Sequence, residues 1–227
     1  MIDKTITSIA DAVADVRSGA TVLIGGFGNA GMPTELVEGV LETGVADLTI
    51  VCNNAGNGDR GLAALLAAGR VRKIICSFPR AADSYVFDRL YRAGEIELEI
   101  VPQGTLAERM RAAAAGIGGF YTPTAYGTQL AKGKETRVID GRPHVFETPL
   151  HGDVALIKAY RGDRYGNLVY RKTARNFGPV MASAATLTIA QVNEIVNVGD
   201  LDPEVITTPG IFVQRVVRVS ANVPVAM

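Results

Sequence analysis

Three short polar segments carry the groups best suited to chemistry. The first, Gly25-Gly26-Phe27-Gly28-Asn29-Ala30-Gly31, places four glycines in seven residues, between an apolar run and Met32-Pro33. Glycine lets the chain turn sharply and lets a ligand approach the backbone closely. A helix after such a loop offers unpaired N–H groups and a positive dipole end. The segment suits a phosphate, a carboxylate or a developing oxyanion, and a plain strand-to-helix turn needs fewer glycines. The second and third segments, Asn53-Asn54-Ala55-Gly56-Asn57-Gly58 and Pro102-Gln103-Gly104, present carboxamides, which donate and accept without adding charge. Turn chemistry accounts for Asn57 before Gly58, whereas Gln is not a favoured turn residue, which makes Gln103 the more informative. Such loops together describe a surface that binds a substrate and stabilises an oxyanion. It lacks a nucleophile. His144 and His151 accompany no recognisable Ser or Cys elbow, and neither metal-ligand spacing nor a P-loop lysine occurs.

Gly26, Gly28 and Gly31 also satisfy G-x-G-x-x-G, so a nicotinamide-dependent oxidoreductase is one rival reading. That fold wants an acidic residue at the end of the second strand. Here the strand ends in Asn53-Asn54, and the next acid, Asp59, better fits a helix cap. A sugar-phosphate-binding domain is the other rival.

Alternating helix and strand signals position these loops. A helix is expected over Ile6–Val16, closed by Gly19, then a buried strand Thr21–Ile24 stopped by Gly25-Gly26. A second helix starts with Pro33 at its first position. Next come strand Leu48–Cys52, helix Asp59–Ala68, strand Lys73–Cys76, helix Asp83–Ala93 and strand Ile96–Val101, with an Asp opening and a Gly following each of these helices. Thr105-Leu106-Ala107-Glu108 has the form of a capping box opening a fifth helix. Strands joined by crossover helices predict an α/β fold with an open, mostly parallel, doubly wound sheet, its ligand loops at the carboxyl ends of the strands. Residues 116–150 read instead as a β-rich irregular insertion with strands Thr136–Ile139 and His144–Glu147. Beyond it, strands are expected at Asp153–Tyr160, Leu168–Tyr170, Thr186–Gln191 and Glu194–Val198, with a helix over Thr173–Ala185. The 227 residues fit one domain, 1–227.

Composition narrows the function. Lys+Arg and Asp+Glu balance at 23 each, so no global field draws the chain to nucleic acid or a membrane surface, and an anionic ligand needs a local site. Cys52 and Cys76 sit in apolar runs and read as reduced core thiols. The start shows no signal peptide, and the apolar runs are too short to span a bilayer, so a cytoplasmic protein is expected.

The run Gly19-Ala20-Thr21-Val22-Leu23-Ile24-Gly25-Gly26-Phe27-Gly28-Asn29-Ala30-Gly31-Met32-Pro33 resembles the α-side signature of class I (3-oxoacid) CoA-transferases. Asn53-Asn54-Ala55-Gly56, Val101 to Arg109, Arg171 to Phe177 and Thr208 to Gln214 resemble further blocks of that family, so the likeness covers nearly the whole chain. Residues 76–94 resemble the branch whose acceptor is 3-oxoadipate; the acetoacetate-specific branch is the alternative. The resemblance implies the CoA-transferase family I (NagB-RpiA-like) fold. It implies a B (β) subunit that carries the nucleophilic glutamate in a Ser-Glu-Asn-Gly segment, absent here, with succinyl-CoA as donor. It also implies coenzyme A as a cosubstrate, with no tightly bound cofactor and no metal. By position it implies CoA contacts for Gly25, Gly26, Phe27, Gly28, Asn29, Ala30 and Gly31, and oxyanion or substrate contacts for Asn53, Asn54 and Gln103. Arg80, just after a strand's carboxyl end, is a candidate for the distal carboxylate of 3-oxoadipate. One departure is Ala125, where the family pattern has Gly.

Overall fold

The computed structural model describes residues 2–219. Its main layer is a nine-stranded sheet. The strands are β1 (Thr5–Ile6), β2 (Thr21–Ile24), β3 (Leu48–Cys52), β4 (Val71–Cys76), β5 (Glu97–Ile100), β9 (Gly152–Asp163), β10 (Leu168–Val169), β11 (Ala185–Val196) and β12 (Arg215–Arg218). The order is β1-β12-β11-β9-β2-β3-β4-β5, parallel at every step, with β10 antiparallel on β9. β3 is buried at all five positions, as a parallel strand covered on both faces must be. Its Leu48, Ile50 and Cys52 pack with helices α1 (Ile9–Val13), α2 (Thr34–Glu42), α3 (Leu62–Ala67) and α4 (Tyr85–Ala93). Val51 points the other way, toward α5 (Gln103–Ala114) and α6 (Gly178–Ser183). This is the doubly wound α/β fold expected. β2 to β5 advance in one direction, and β9, β11 and β12 in the other. The order reverses between β2 and β9, and crevices open at the carboxyl ends of strands at such a point.

Residues 116–150 hold a separate antiparallel sheet, β6-β8-β7, made of β6 (Phe120–Thr122), β7 (Thr136–Ile139) and β8 (Arg142–Glu147). Arg109 of α5 ties it down, donating to the Thr148 carbonyl at 2.9 Å. Ala125 lies there in the left-handed region, at φ 70°. Among the described residues no helix is long and apolar enough to cross a membrane.

Several boundaries differ from the sequence reading. Helix α1 starts at Ile9, because Ser8 caps it by accepting the Asp11 N–H and Thr5–Ile6 pairs with β12 instead. Asp59 and Asp83 cap nothing; Gly61 at φ 54° turns the chain into α3, and α4 follows Ser84. Gly94 does close α4 in the left-handed region. The capping box is overridden too, since α5 begins at Gln103 and buries Thr105 inside it. The expected 173–185 helix is broken at Asn176 (φ 14°, ψ −115°), leaving a 3₁₀ turn, Lys172–Arg175, before α6. The two strands read beyond it are one continuous strand, β11, paired along its length with β9.

Candidate active site

The glycine loop continues β2 at the switch point, where the Gly25 N–H donates to the Leu156 carbonyl at 2.9 Å. Phe27 and Ala30 exchange backbone hydrogen bonds of 3.0 and 3.1 Å, making a tight hairpin with Gly28 and Asn29 at its tip. Gly28 (φ 58°) faces open space, so a ligand has room against its backbone. Gly31 is required for a different reason. A Cβ there would lie 2.4 Å from the Ala174 carbonyl oxygen, so this glycine serves the packing of chain on chain. Asn176 fastens the loop from the same side. Its Oδ1 accepts the Gly26 N–H at 3.1 Å, and its Nδ2 donates to the Ala30 carbonyl at 2.9 Å. The free N–H groups expected at the start of α2 are partly taken. Pro33 stands at the N-cap, and the buried Leu36 N–H donates to Gln191 Oε1 from β11 at 3.2 Å.

All three polar segments meet in one cleft of about 400 Å³, whose lining includes Phe27, Gly28, Asn53, Asn54, Ser77 and Gln103. Asn53 is only 5% exposed. Its Oδ1 accepts from Ser77 Oγ at 2.8 Å and from Gln103 Nε2 at 3.2 Å, so its amide face is fixed from two sides. Asn54 Oδ1 accepts the Gly56 N–H at 3.1 Å, and its carbonyl accepts the Cys52 thiol. The Nδ2 groups of Asn53 and Asn54 have no protein partner among the described residues. They are two neutral donors, held by buried side chains at a crevice, in the manner of an oxyanion hole. Asn29 and Gly28 also line a smaller cavity of about 100 Å³ shared with Asn54.

Gln103 is present in the cleft as read, but as the first residue of α5 rather than in a loop, and its amide N–H is committed to Asn53. Arg80 is not among the residues lining the cleft. Its side chain is 63% exposed and pairs with Asp88 at 2.9 Å. Ser77 was missed by sequence reasoning, as was the fastening role of Asn176. A serine directly after a buried strand, beside a loop of amides, was the available signal for Ser77. Burial pushes the Cys52 thiol far above its ordinary value and the Cys76 thiol up to about 12, so both stay protonated and neither supplies a nucleophile.

An open parallel sheet with an amide-lined crevice beyond the carboxyl ends of β2 to β5 places the chain in the α/β class. The coenzyme A transferase family model matches residues 6–219, and the chain belongs to that family. This sets aside the oxidoreductase and sugar-phosphate readings. The chain is 67% identical over 220 residues to the A subunit of the 3-oxoadipate CoA-transferase of Pseudomonas putida, covering 97% of this chain and 95% of that one. It is 64% identical over 222 residues to the protein of the same name from Acinetobacter baylyi, with coverages of 98% and 97%. Identity falls to 49% over 214 residues, with coverages of 94% and 89%, for the corresponding chain of a probable succinyl-CoA:3-ketoacid coenzyme A transferase of Bacillus subtilis. The fold matches an acyl-CoA transferase of E. coli O157:H7, solved as a CoA thioester complex. The TM-score is 0.83 at 21% identity, covering 96% of this chain and 47% of that one.

Proposed function

We propose that this chain is the A (α) half of a two-subunit enzyme that moves CoA from succinyl-CoA to 3-oxoadipate. On this reading it works in the cytoplasm, in aromatic-compound catabolism by the β-ketoadipate route. The observation that carries the acceptor is the drop in identity, from 67% and 64% for the two 3-oxoadipate relatives to 49% for the 3-ketoacid relative. The amide cleft without a nucleophile supports the division of labour. The chain acts as one domain, 1–227, and uses coenzyme A as a substrate rather than a held cofactor.

The partner's glutamate attacks the succinyl-CoA carbonyl, giving a mixed anhydride and CoA thiolate. Thiolate attack on the glutamyl carbonyl releases succinate and leaves a glutamyl-CoA thioester. The acceptor carboxylate then repeats these steps in reverse, and thioester energy is conserved throughout. At each tetrahedral stage negative charge grows on a carbonyl oxygen. The Nδ2 groups of Asn53 and Asn54 donate to that oxygen, while Ser77 and Gln103 keep the Asn53 amide turned. Gly28 lets the CoA arm lie against the backbone.

The test is reconstitution with a co-encoded second polypeptide. The chain alone should transfer nothing, and the pair should transfer CoA from succinyl-CoA to 3-oxoadipate. Full activity of the lone chain would overturn the proposal. Acetoacetate as acceptor is the second reading, favoured by the exposed, Asp88-paired position of Arg80. If Arg80 does hold the distal carboxylate, Arg80→Ala costs ~1.5–3 kcal/mol of 3-oxoadipate recognition and spares acetoacetate. Equal kcat/KM losses for both acceptors, or none, remove Arg80 from the site.

A further inference from the structure

The Phe27–Ala30 hairpin forms one wall of the amide cleft, since Phe27 and Gly28 line it together with Asn53 and Asn54. The two walls are held differently. Ser77 and Gln103 fix Asn53 from neighbouring strand ends within its own wall. For the hairpin wall, the side-chain hydrogen bonds that reach residues 26–31 among the described residues all come from Asn176.

Asn176 stands in the break between the 3₁₀ turn and α6. Its Oδ1 accepts the Gly26 N–H at 3.1 Å and the Phe177 N–H at 2.7 Å, and its Nδ2 donates to the carbonyls of Ala30 and Thr173, each at 2.9 Å. One bond from each end of the carboxamide thus goes to the hairpin and one to the chain around the turn. A carboxamide has two donor hydrogens and a twofold acceptor, so its whole capacity is used here. A carboxylate of the same shape has no hydrogen to give and would set an oxygen against two carbonyls. Chemistry as well as size therefore asks for Asn. Backbone packing backs the clasp, because a Cβ on Gly31 would lie 2.4 Å from the Ala174 carbonyl oxygen.

The clasping turn also bounds a second cavity, of about 320 Å³, on the other side of the hairpin, with Ala30, Gly31, Lys158, Tyr160, Arg171 and Lys172 in its lining. Ile24, the last residue of β2, pairs with Leu156, so β9 runs on past the end of β2 and carries Lys158 and Tyr160 beyond it. In this cation cavity Lys158, Arg171 and Lys172 form no ion pair among the described residues, whereas Arg161, the next cation on β9, is paired with Glu194 at 2.7 Å. Attraction between charges therefore does not hold the turn against the hairpin. The Asn176 carboxamide does.

We propose that Asn176 is a positioning residue, which sets the hairpin wall at the distance from Asn53 and Asn54 that a reacting thioester needs. It acts through the hairpin, from a turn on the far side of the loop. The inference rests on the CoA-transfer reading above. A misplacement of about 1 Å in a site can cost about 100-fold in rate with every reacting group still present.

The experiment uses the reconstituted two-subunit enzyme with Asn176→Asp, Asn176→Ala and Gly31→Ala, measuring both rate and backbone hydrogen exchange. Asn176→Asp should lower kcat/KM for succinyl-CoA about 10- to 100-fold, mostly through kcat. It should lose at least as much as Asn176→Ala, because it keeps the shape and gives up both donors. A residue that only fills space would give the reverse order and overturn the proposal. Exchange should quicken at residues 25–31 and stay unchanged at 53–58. Gly31→Ala pushes the hairpin off the turn with the carboxamide intact, so it should reproduce both effects. It decides the matter if the Asn176 variants do not assemble. Wild-type rates overturn the proposal, as does a lowered rate with hairpin exchange unchanged or with exchange raised throughout the sheet. If the wild-type pair transfers nothing, the CoA-transfer reading falls by itself, and exchange at 25–31 still decides whether Asn176 sets the hairpin.

Discussion

The two walls of the glycine loop are built on opposite principles. On the amide side the polar groups are neutral and, for Asn53 and Asn54, buried, each held through its Oδ1 by neighbours. On the cation side the groups are charged and at least partly solvated, and no side-chain hydrogen bond among the described residues restrains them. A donor meant for a fleeting oxyanion gains from being fixed in advance, since reorganising it would cost energy at the moment of reaction. One short hairpin thus separates a neutral wall from a charged one.

That contrast is easiest to break on the amide side. Asn54→Ala, and likewise Asn53→Ala, should lower kcat in the reconstituted enzyme by ~10²–10³, the usual loss for one oxyanion donor. Thermal melting should change far less. Unchanged turnover in both variants would reduce these amides to loop chemistry. A smaller effect is expected for Ser77→Ala, which leaves Asn53 held by Gln103 alone. We expect kcat to fall about tenfold, roughly the weight of one neutral hydrogen bond, with KM for succinyl-CoA little changed. Ser77→Thr should recover the rate, and a KM effect without a kcat effect would mean Ser77 only shapes the cleft.

Acid should soften the amide side through the anchor of α5. Glu99 is partly buried, which raises its pKa, but hydrogen bonds from Lys73 and Arg109 outweigh that and hold it below its ordinary value of 4.5. A carboxyl with a depressed folded pKa stabilises the fold above its unfolded value, and that stability is lost as pH falls through the folded one. Wild type should therefore lose stability below pH 4.5 more steeply than Glu99→Gln, measured by urea melts along a pH series. Parallel curves would remove Glu99 from the anchor. The smallest effect belongs to the segment between β6 and β7. Ala125 is strained at φ 70°, and Ala125→Gly should gain up to about 1 kcal/mol, strain relief less the added chain entropy. Transfer by the reconstituted pair should stay the same.

Local apolar runs made the buried strands β2 and β3 legible to the residue, because a strand covered on both faces leaves little room for other readings. Helix starts were not legible where packing overrode capping chemistry. Thr105-Leu106-Ala107-Glu108 has a capping sequence, yet tertiary contacts draw the helix back to Gln103 and bury Thr105. The convergence of Asn53, Asn54 and Gln103 followed from their places at strand ends. Arg80 followed the same rule, and its guanidinium pairs with Asp88 in the first turn of α4 rather than lining the cleft. Ser77, Asn176 and the cation cavity depend on contacts between distant segments, which spacing along a chain does not encode.

The Asn176 clasp also governs when the site can exist during synthesis. Gly26 and Asn176 are 150 positions apart in the chain, so the hairpin beside β2 lacks its fastening until most of the polypeptide has been made. Contacts of such long range close late and slowly. A nascent chain halted before residue 176 lacks both bonds of Asn176 to the loop. We therefore expect the glycine loop to take its final shape only after residue 176 has been made, a delay that limited proteolysis of progressively longer ribosome-bound chains would detect, so that the second half of the molecule acts as the timer for the first.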